Sequence, residues 1–456
     1  MSIRKTFTPD FVVLILMGLL FISYQFHFLH LFFGLEKQEE ISTIILIATA
    51  IFWVSEALPL YITSLGVLFF QIVWLLPALH ETGINASKED FLIAFFGDLT
   101  LLFMGGFVLA ALLNKYGISR IIARRIIERT GSSPASILLS IIVVSSVLSM
   151  WISNTATAAM MFAIIAPVMV SMPDTSPFSK AIALAIPFSC NLGGIGTPIG
   201  TPPNAIAMEY LQQMNIDVSF AKWMLLAVPL MILLLFLLWK LLLKLYPPGD
   251  VKIDLKVEAF HSFGKRQYVV LAIFVVTIIG WLTTGITGLS TGVVGLFVVL
   301  VAFGSGLLST RDFKNLSWDI LFMLGGGLCL GIGIKKSGIT DIVASMIPME
   351  ESFVLIIGLF LLLAAVMTTF MSNTATANLL IPVAVALPQG ELILAIAISL
   401  MCSSSMALPI STPPNAIAFG SGFINSKEMQ SSGMLMTILA LLGILLACVF
   451  YLPLIV

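Results

Sequence analysis

Apolar runs of about 20 residues, separated by short polar clusters, recur along nearly the whole chain, and a helix of that length crosses the ~30 Å hydrocarbon core of a bilayer. The pattern predicts spans near 11–33, 41–58, 60–79, 97–116, 180–207, 223–246, 267–284, 286–307, 318–335, 391–418 and 433–454, eleven in all. Two further apolar stretches, 134–170 and 352–387, are each interrupted midway by a polar motif. The first run, Phe11 to Phe33, exceeds the roughly 7–15 residues of a signal-peptide core and has no small-residue cleavage site behind it, so it reads as a retained helix. Residues 117–130 (GISRIIARRIIERT) place Ile118, Ile121, Ile122 and Ile126 on one face and Arg120, Arg124 and Arg125 toward the other, the pattern of a helix lying in the membrane interface. A weaker counterpart occupies 338–348.

Composition agrees with this reading. Of 456 residues, 59% are hydrophobic and 10% charged, against about 25% charged in soluble domains. The net charge of -1 offers no basic surface for nucleic acid. With the N-terminus inside, cytoplasmic segments hold 17 of the 22 Lys and Arg residues; only Lys37, Lys88, Lys222, Lys335 and Lys336 lie outside. Eleven spans then leave the C-terminus outside. Cys190, Cys329, Cys402 and Cys448 sit in apolar runs without metal-ligand spacing, and His27, His30, His80 and His261 are isolated.

The longest polar stretch, 247–266, divides the chain near its middle, and the two halves resemble each other. Asp98, Gly105, Gly106, Lys115, Gly117 and Ile118 match Asp319, Gly326, Gly327, Lys336, Gly338 and Ile339 at an offset of 221. Ser153–Ala158 (SNTATA) recurs as Ser372–Ala377 at 219, and Thr201–Ala207 (TPPNAIA) as Thr412–Ala418 at 211. Each half after the first helix contains five spans, an odd number, so the second copy is inverted. Inverted repeats with interrupted helices are a transporter architecture with cargo held near the midplane. The expected organisation is 1–133 for the first helix and outer part of repeat 1, 134–246 for its hairpin and broken helix, 247–266 as cytoplasmic linker, 267–351 for the outer part of repeat 2, and 352–456 for its hairpin and broken helix.

The polar motifs carry the chemistry. Unpaired polar groups in hydrocarbon cost several kcal/mol, so SNTATA at membrane depth needs a reason. The flanking arms in repeat 1 count about 16 and 11 residues, short for a crossing, and predict a re-entrant hairpin with the motif at its tip. Ser and Asn oxygens with free backbone carbonyls suit a hard cation such as Na⁺. The helix N-terminus starting at the motif favours an anion. In the TPPN motifs, the Pro pair cannot continue a helix but is tolerated in the first turn of a new one. Each motif therefore breaks a span, freeing carbonyls before the break and presenting a second N-terminus after it. Side-chain gluing of helices and simple proline kinks are the bland alternatives; duplication of both motifs weighs against them. No Lys, Arg or His lies in a tip or break, so an anion would be held by dipoles, neutral donors and neighbouring Na⁺.

Other features have plainer readings. Glu56 lies at or near membrane depth, where an ionisable residue is a functional candidate, but it also fits a helix end. Gly105–Gly106 and Gly325–Gly327 suit close helix packing, Asp98 and Asp319 suit helix starts, and Asn85-Ala86-Ser87 matches a glycosylation acceptor. No acid–base pair, triad or metal cluster at membrane depth indicates an enzyme.

The paired SNT and TPPNAIA motifs resemble those of the divalent anion/sodium symporter family, across nearly the whole chain. The resemblance implies an all-α polytopic fold of about eleven helices in two inverted repeats with two re-entrant hairpins and two broken helices. It implies a homodimer in the cell inner (plasma) membrane, and Na⁺-coupled symport of C4-dicarboxylates by an elevator mechanism, with no organic cofactor. The moving part would comprise the hairpins, the broken helices and spans six and eleven; the scaffold would be the first four spans and spans seven to nine. One sodium site would use Ser149, Ser153, Asn154 and backbone near Gly200; the other Thr368, Ser372, Asn373 and backbone near Ser411. Cargo carboxylates would meet Asn154, Thr155, Asn373 and Thr374, with Thr201, Pro202, Thr412 and Pro413 nearby. A sodium-independent exchanger, a citrate or sulfate carrier, and an anion channel are the competing readings.

Overall fold

The computed structural model describes residues 11–27, 29–30, 34–131, 133–172, 176–249, 263–340, 342, 352–387 and 390–455. Its principal helices, in chain order, are α1 (Phe11–Gln25), α2 (Lys37–Ser55), α3 (Leu60–Glu81, with a π-helical turn at Gln71–Leu75), α4 (Asp98–Lys115), α5 (Ile118–Arg129), α6 (Pro134–Ser149), α7 (Asn154–Val170), α8 (Pro177–Gly194), α9 (Pro202–Gln213) and α10 (Phe220–Leu245). They continue as α11 (Lys265–Leu282), α12 (Thr291–Gly304), α13 (Thr310–Lys314), α14 (Trp318–Ser337), α15 (Phe353–Phe370), α16 (Asn373–Val385), α17 (Glu391–Ser404), α18 (Pro413–Gly420) and α19 (Ser426–Leu446). All regular structure among the described residues is helical.

Among the described residues, eight helices are long and apolar enough to cross a membrane: α2, α3, the run Lys88–Lys115 that ends in α4, α10, α11, α14, α15 and the run Ser426–Leu454 that begins with α19. All but α15 coincide with spans read from the sequence. The hairpin arms are longer than the apolar count predicts. The Asn154 motif is itself helical, which extends α7 to 17 residues, and α15 runs 18 residues without a polar break. Re-entry of the hairpins therefore rests on their polar tips rather than on arm length.

The chain forms two compact units. One comprises Met1–Thr100, Ser317–Glu350 and Pro382–Glu391. Within it α3 and α14 pack closely, because Gly326 presents bare backbone to Ser64 and Gly333 to Gln71. Glu56 closes α2 in the left-handed region (φ 48°) and is exposed, a helix-end role. Asp319 sits in the first turn of α14, as Asp98 does in α4, where a carboxylate complements the helix dipole.

The other unit comprises Leu101–Leu316, Glu351–Ile381 and Leu392–Val456. Its centre is α8, where every residue from Phe178 to Gly194 except Lys180 is buried, and α17, buried from Leu394 to Ser404. A helix buried on all sides needs no polar face. In contrast, α11 exposes Tyr268, Val269, Val275, Val276 and Ile279, the surface expected where lipid is the solvent. Gly105 of α4 meets the backbone of Gly295 in α12, an approach that no side chain would permit.

Two sequence readings are completed or restricted by the structure. The inward face of α5 is Ile118, Ser119, Ala123 and Ile127, and the helix packs against α6 and α7, which leaves Ile126 40% exposed and Ile121 and Ile122 half-buried, as side chains facing lipid would be. Counting isoleucines does not find this inward seam because its centre is Ser119 and Ala123. The linker and the 338–348 segment lie largely outside the described residues, as does His261.

An ion pair ties the end of α4 to α13. Lys115 Nζ lies 2.7 Å from Asp312 Oδ2, which also accepts the Ser309 N–H and hydroxyl, each at 2.7 Å. The Lys115 ammonium, helped by Ser309, holds the Asp312 carboxyl down at about 2. Its unfolded value is about 3.9, so this contribution is present above that pH and is lost as pH falls toward about 2. The pair is largely solvated, worth roughly 0.2–1 kcal/mol. Asp312→Asn should lower the thermal midpoint slightly at neutral pH, and the difference from wild type should shrink between about pH 4 and 2. Melts across that range check this; a constant difference would mean the carboxylate charge is irrelevant.

Candidate functional site

Both polar motifs begin helices, as their residues dictate. Ser153 caps α7 by accepting the Ala156 N–H at 3.3 Å, and Ser372 caps α16 by accepting the Ala375 N–H at 3.2 Å. These serines thus have a capping role that their reading as cation ligands left out. Inside each tip, the next residue pairs with a hydroxyl from the preceding arm. Ser149 Oγ donates to Asn154 Oδ1 at 2.6 Å; Thr368 Oγ1 donates to Asn373 Oδ1 at 2.7 Å. Ser149 and Thr368 are fully buried, while Asn154 and Asn373 are half-buried. The two arrangements occupy repeat-equivalent positions. They differ in their second contact: Thr368 Oγ1 also lies 3.1 Å from the Cys402 carbonyl of α17, whereas the Ser149 side chain also meets the Cys190 thiol of α8.

The broken helices follow the proline logic. α8 stops at Gly194 and α9 begins at Pro202; α17 stops at Ser404 and α18 begins at Pro413. Thr412 caps α18 by accepting the Asn415 N–H at 3.4 Å, whereas Thr201 makes no such side-chain cap. Asn204 and Asn415 shape the loops before them. Asn204 Nδ2 donates to the Gly194 and Thr197 carbonyls at 3.0 and 2.7 Å. Asn415 Nδ2 donates to the Met406 and Leu408 carbonyls at 3.1 and 3.0 Å.

In repeat 1 the tip meets the break. A Cβ on Gly194 would stand 2.9 Å from Asn154 Oδ1 and 3.3 Å from the Gly200 carbonyl, so both oxygens face the bare Gly194 Cα. Thr197 Oγ1 donates to the Met150 carbonyl at 2.5 Å, fastening the loop to the end of α6. In repeat 2 the same fastening uses a different residue: Ser411 Oγ donates to the Thr369 carbonyl at 3.2 Å. Ser149, Asn154 and Gly200 are therefore gathered in one place, and Thr368, Asn373 and Ser411 in another. The repeats also interlock, since α7 packs against α18.

The expected cargo residues are distributed unevenly. Thr155 and Pro413 are exposed and Pro202 is half-buried, whereas Thr374, Thr201 and Thr412 are buried. Neutral oxygens at a tip, with carbonyls of a broken loop beside them, can hold a hard monovalent cation. Helix starts at Asn154 and Asn373 offer backbone N–H groups to an anion, whereas α9 and α18 open on proline pairs that carry no N–H and contribute only the positive end of the helix dipole. Sequence reading gave Thr197 no separate role within the first break and missed Gly194, and also Asn191, Ser399 and Ser403, which contact the breaks from neighbouring helices. The available hint was their polarity inside apolar runs, where a buried polar group calls for a partner.

Residues 12–456 match the family described as the sodium:sulfate symporter transmembrane region. The sodium-dependent dicarboxylate transporter SdcS of Staphylococcus saprophyticus is 31% identical over 452 residues, covering 89% of this chain and 84% of that protein. Its namesake from Staphylococcus aureus is 30% identical over 449 residues with the same coverage. Among solved structures, the Alcanivorax borkumensis YdaH transporter, described as having an unusual topology, superposes with TM-score 0.58 at 12% identity, covering 80% of this chain and 87% of that one. Neisseria gonorrhoeae MtrF, from a class of antimetabolite efflux pumps, gives 0.54 at 10% identity, covering 79% and 82%. At such identity these two speak for the fold alone. The chain is a multi-pass membrane transporter, not an enzyme, and belongs to the sodium:sulfate symporter transmembrane-region family.

Proposed function

We propose that this protein is a Na⁺-coupled symporter of C4-dicarboxylates of the succinate, malate and fumarate type. The observation that carries the reading is the doubled tip: Ser149 on Asn154 and Thr368 on Asn373, at equivalent places in the two repeats. Each tip supplies neutral oxygens beside a broken helix, the chemistry of a sodium site. The names of the staphylococcal relatives support both the ion and the cargo class. One sodium ion sits at Ser149, Ser153, Asn154 and Gly200, the other at Thr368, Ser372, Asn373 and Ser411. The cargo carboxylates lie against Asn154, Thr155, Asn373 and Thr374, with Thr201, Thr412, Pro202 and Pro413 bordering them. With no cationic side chain at tips or breaks, bound sodium supplies the countercharge. Each positive charge carried inward gains ~2.3 kcal/mol per 100 mV, so more than two sodium ions per dianion would make uptake strongly concentrating.

The protein acts as a homodimer in the cell inner (plasma) membrane, N-terminus cytoplasmic and C-terminus outside. The orientation is supported by charge bias, and ion pairing supports which segments share a side. Lys115–Asp312 and Lys180–Glu428 join residues assigned inside, and Lys37–Glu81 and Lys336–Asp90 join residues assigned outside. Transport is by an elevator movement of the hairpins, broken helices and α10 and α19 against the remaining spans. The compact units divide the chain differently, since α11 and α12 fall in the larger one.

The test is uptake of labelled succinate into proteoliposomes under an inward Na⁺ gradient, compared with K⁺ or choline. Transient accumulation above equilibrium with Na⁺ alone is expected. Uptake that ignores Na⁺ but requires internal dicarboxylate would make the protein an exchanger. Flux that never runs uphill would make it a channel. Uptake of sulfate or citrate instead of succinate would correct the cargo.

A further inference from the structure

The two broken helices are tied to each other through side chains that no motif contains. Asn191 of α8 sends Nδ2 across to the second break, 3.1 Å from Thr412 Oγ1 and 3.3 Å from Asn415 Oδ1. In the opposite direction, Ser399 of α17 donates to Asn204 Oδ1 at 2.9 Å and Ser403 to Thr201 Oγ1 at 3.3 Å. All seven residues are at most 4% exposed. The serines are four residues apart, hence on one helix face. At an offset of 211, Asn191 corresponds to Cys402, which lies on that same face, so the crossing is reciprocal although the residue types differ.

The consequence is mechanical. Asn204 uses its Nδ2 on the carbonyls of its own loop and its Oδ1 on α17; Asn415 uses its Nδ2 on its own loop and its Oδ1 on α8. Neither amide can turn to let its loop carbonyls move without breaking a contact to the other repeat. The helices making those contacts also touch the tips of their own repeats. Gly194, three residues beyond Asn191, faces Asn154; the Cys402 carbonyl, beside Ser403, faces Thr368. Each of α8 and α17 therefore touches the tip of one repeat and the broken loop of the other. Buried hydrogen bonds in a low-dielectric interior hold such an arrangement stiffly.

We propose that Asn191, Ser399 and Ser403 are positioning residues that couple the two sodium sites, so that filling one shapes the carbonyls of the other. This rests on the reading of the tips as sodium sites. Coupling of this kind amounts to about 5–150-fold in the affinity of one site according to the occupancy of the other.

The test is the sodium dependence of succinate uptake in proteoliposomes for wild type, Ser399→Ala, Ser399→Thr, the Ser399→Ala/Ser403→Ala pair and Asn191→Ala. Wild type should show a Hill slope near two. Loss of the latch should bring the slope toward one and raise half-saturating Na⁺ by about 5-fold or more. Ser399→Thr keeps the hydroxyl and should keep the wild-type slope, which a merely space-filling role would not require. Should Asn191→Ala fail to fold, the Ser399 variants alone decide. A slope near two in folded Ser399→Ala and in the double variant, even with a lowered melting point, would overturn the latch. Wild-type uptake that ignores sodium would overturn it at a different level, through the sodium reading, and would be seen before any variant is made.

Discussion

Replacing Asn154 or Asn373 by alanine is expected to cut sodium-driven uptake by about 100-fold while leaving the protein folded. Each amide oxygen accepts a buried hydroxyl and, in the proposed site, would face a cation; a hydrogen bond to a charged group is worth ~1.5–3 kcal/mol, about 10-fold per 1.4 kcal/mol. The same amides offer N–H donors to the cargo, so ion and cargo binding should fall together and the losses compound. Stability changes less. Asn154→Ala leaves the fully buried Ser149 hydroxyl only the sulfur of Cys190, a weak acceptor, which costs up to ~1–3 kcal/mol. Asn373→Ala should cost less, because Thr368 retains the Cys402 carbonyl as an alternative acceptor at 3.1 Å. The comparison variant is Ser153→Ala, whose side chain caps α7; loss of a cap costs about 1 kcal/mol of stability. If Ser153 acts chiefly as a cap, its variant should melt lower yet transport far better than Asn154→Ala. Uptake by both Asn variants within about 3-fold of wild type, with 10-fold per 1.4 kcal/mol as the scale, would remove the tips from the site.

Much of this site was legible in the sequence because the gene duplication printed it twice. The SNTATA and TPPNAIA blocks stand at matched places in apolar surroundings, and the capping serines and paired prolines act locally, within a turn of their own positions. What was hidden depends on chain segments brought together from far apart. Asn191 meets Thr412 across 221 residues and Ser399 meets Asn204 across 195, and no periodicity encodes such pairings. The exchange of Thr197 for Ser411 as loop fastener was hidden for a related reason. At the 211 offset Thr197 corresponds to Leu408 and Ser411 to Gly200, so the function is kept while the position moves. The inward face of α5 was hidden for a simpler reason: it centres on Ser119 and Ala123, which hydrophobic counting passes over.

Gly194 separates the site from the fold more cleanly than any motif residue. It ends α8, and a Cβ there would press on Asn154 Oδ1 at 2.9 Å and Nδ2 at 3.1 Å. These atoms are the far end of a side chain, which can swing aside. Gly to Ala in a helix otherwise gains up to about 1 kcal/mol. That gain is offset by loss of the Ser149–Asn154 pair as the side chain swings and by the Gly200 carbonyl, backbone that stands 3.3 Å from the new Cβ, so Gly194→Ala is expected to melt modestly below wild type and yet to lose most sodium-dependent uptake. Gly200→Ala should behave differently. Its Cβ would collide with the Gly194 carbonyl, which is backbone and cannot give way, so stability and transport should fall together. Gly358→Ala, inside α15 with open space around the new atom, should leave transport unchanged and stability unchanged or raised by up to about 1 kcal/mol. Melting curves and sodium titrations of uptake on the three variants check the set. The decisive comparison is within Gly194→Ala. A lost sodium response in a protein that is still folded at the assay temperature would place Asn154 at the ion, whereas wild-type uptake would mean that its position beside Gly194 does not matter for transport.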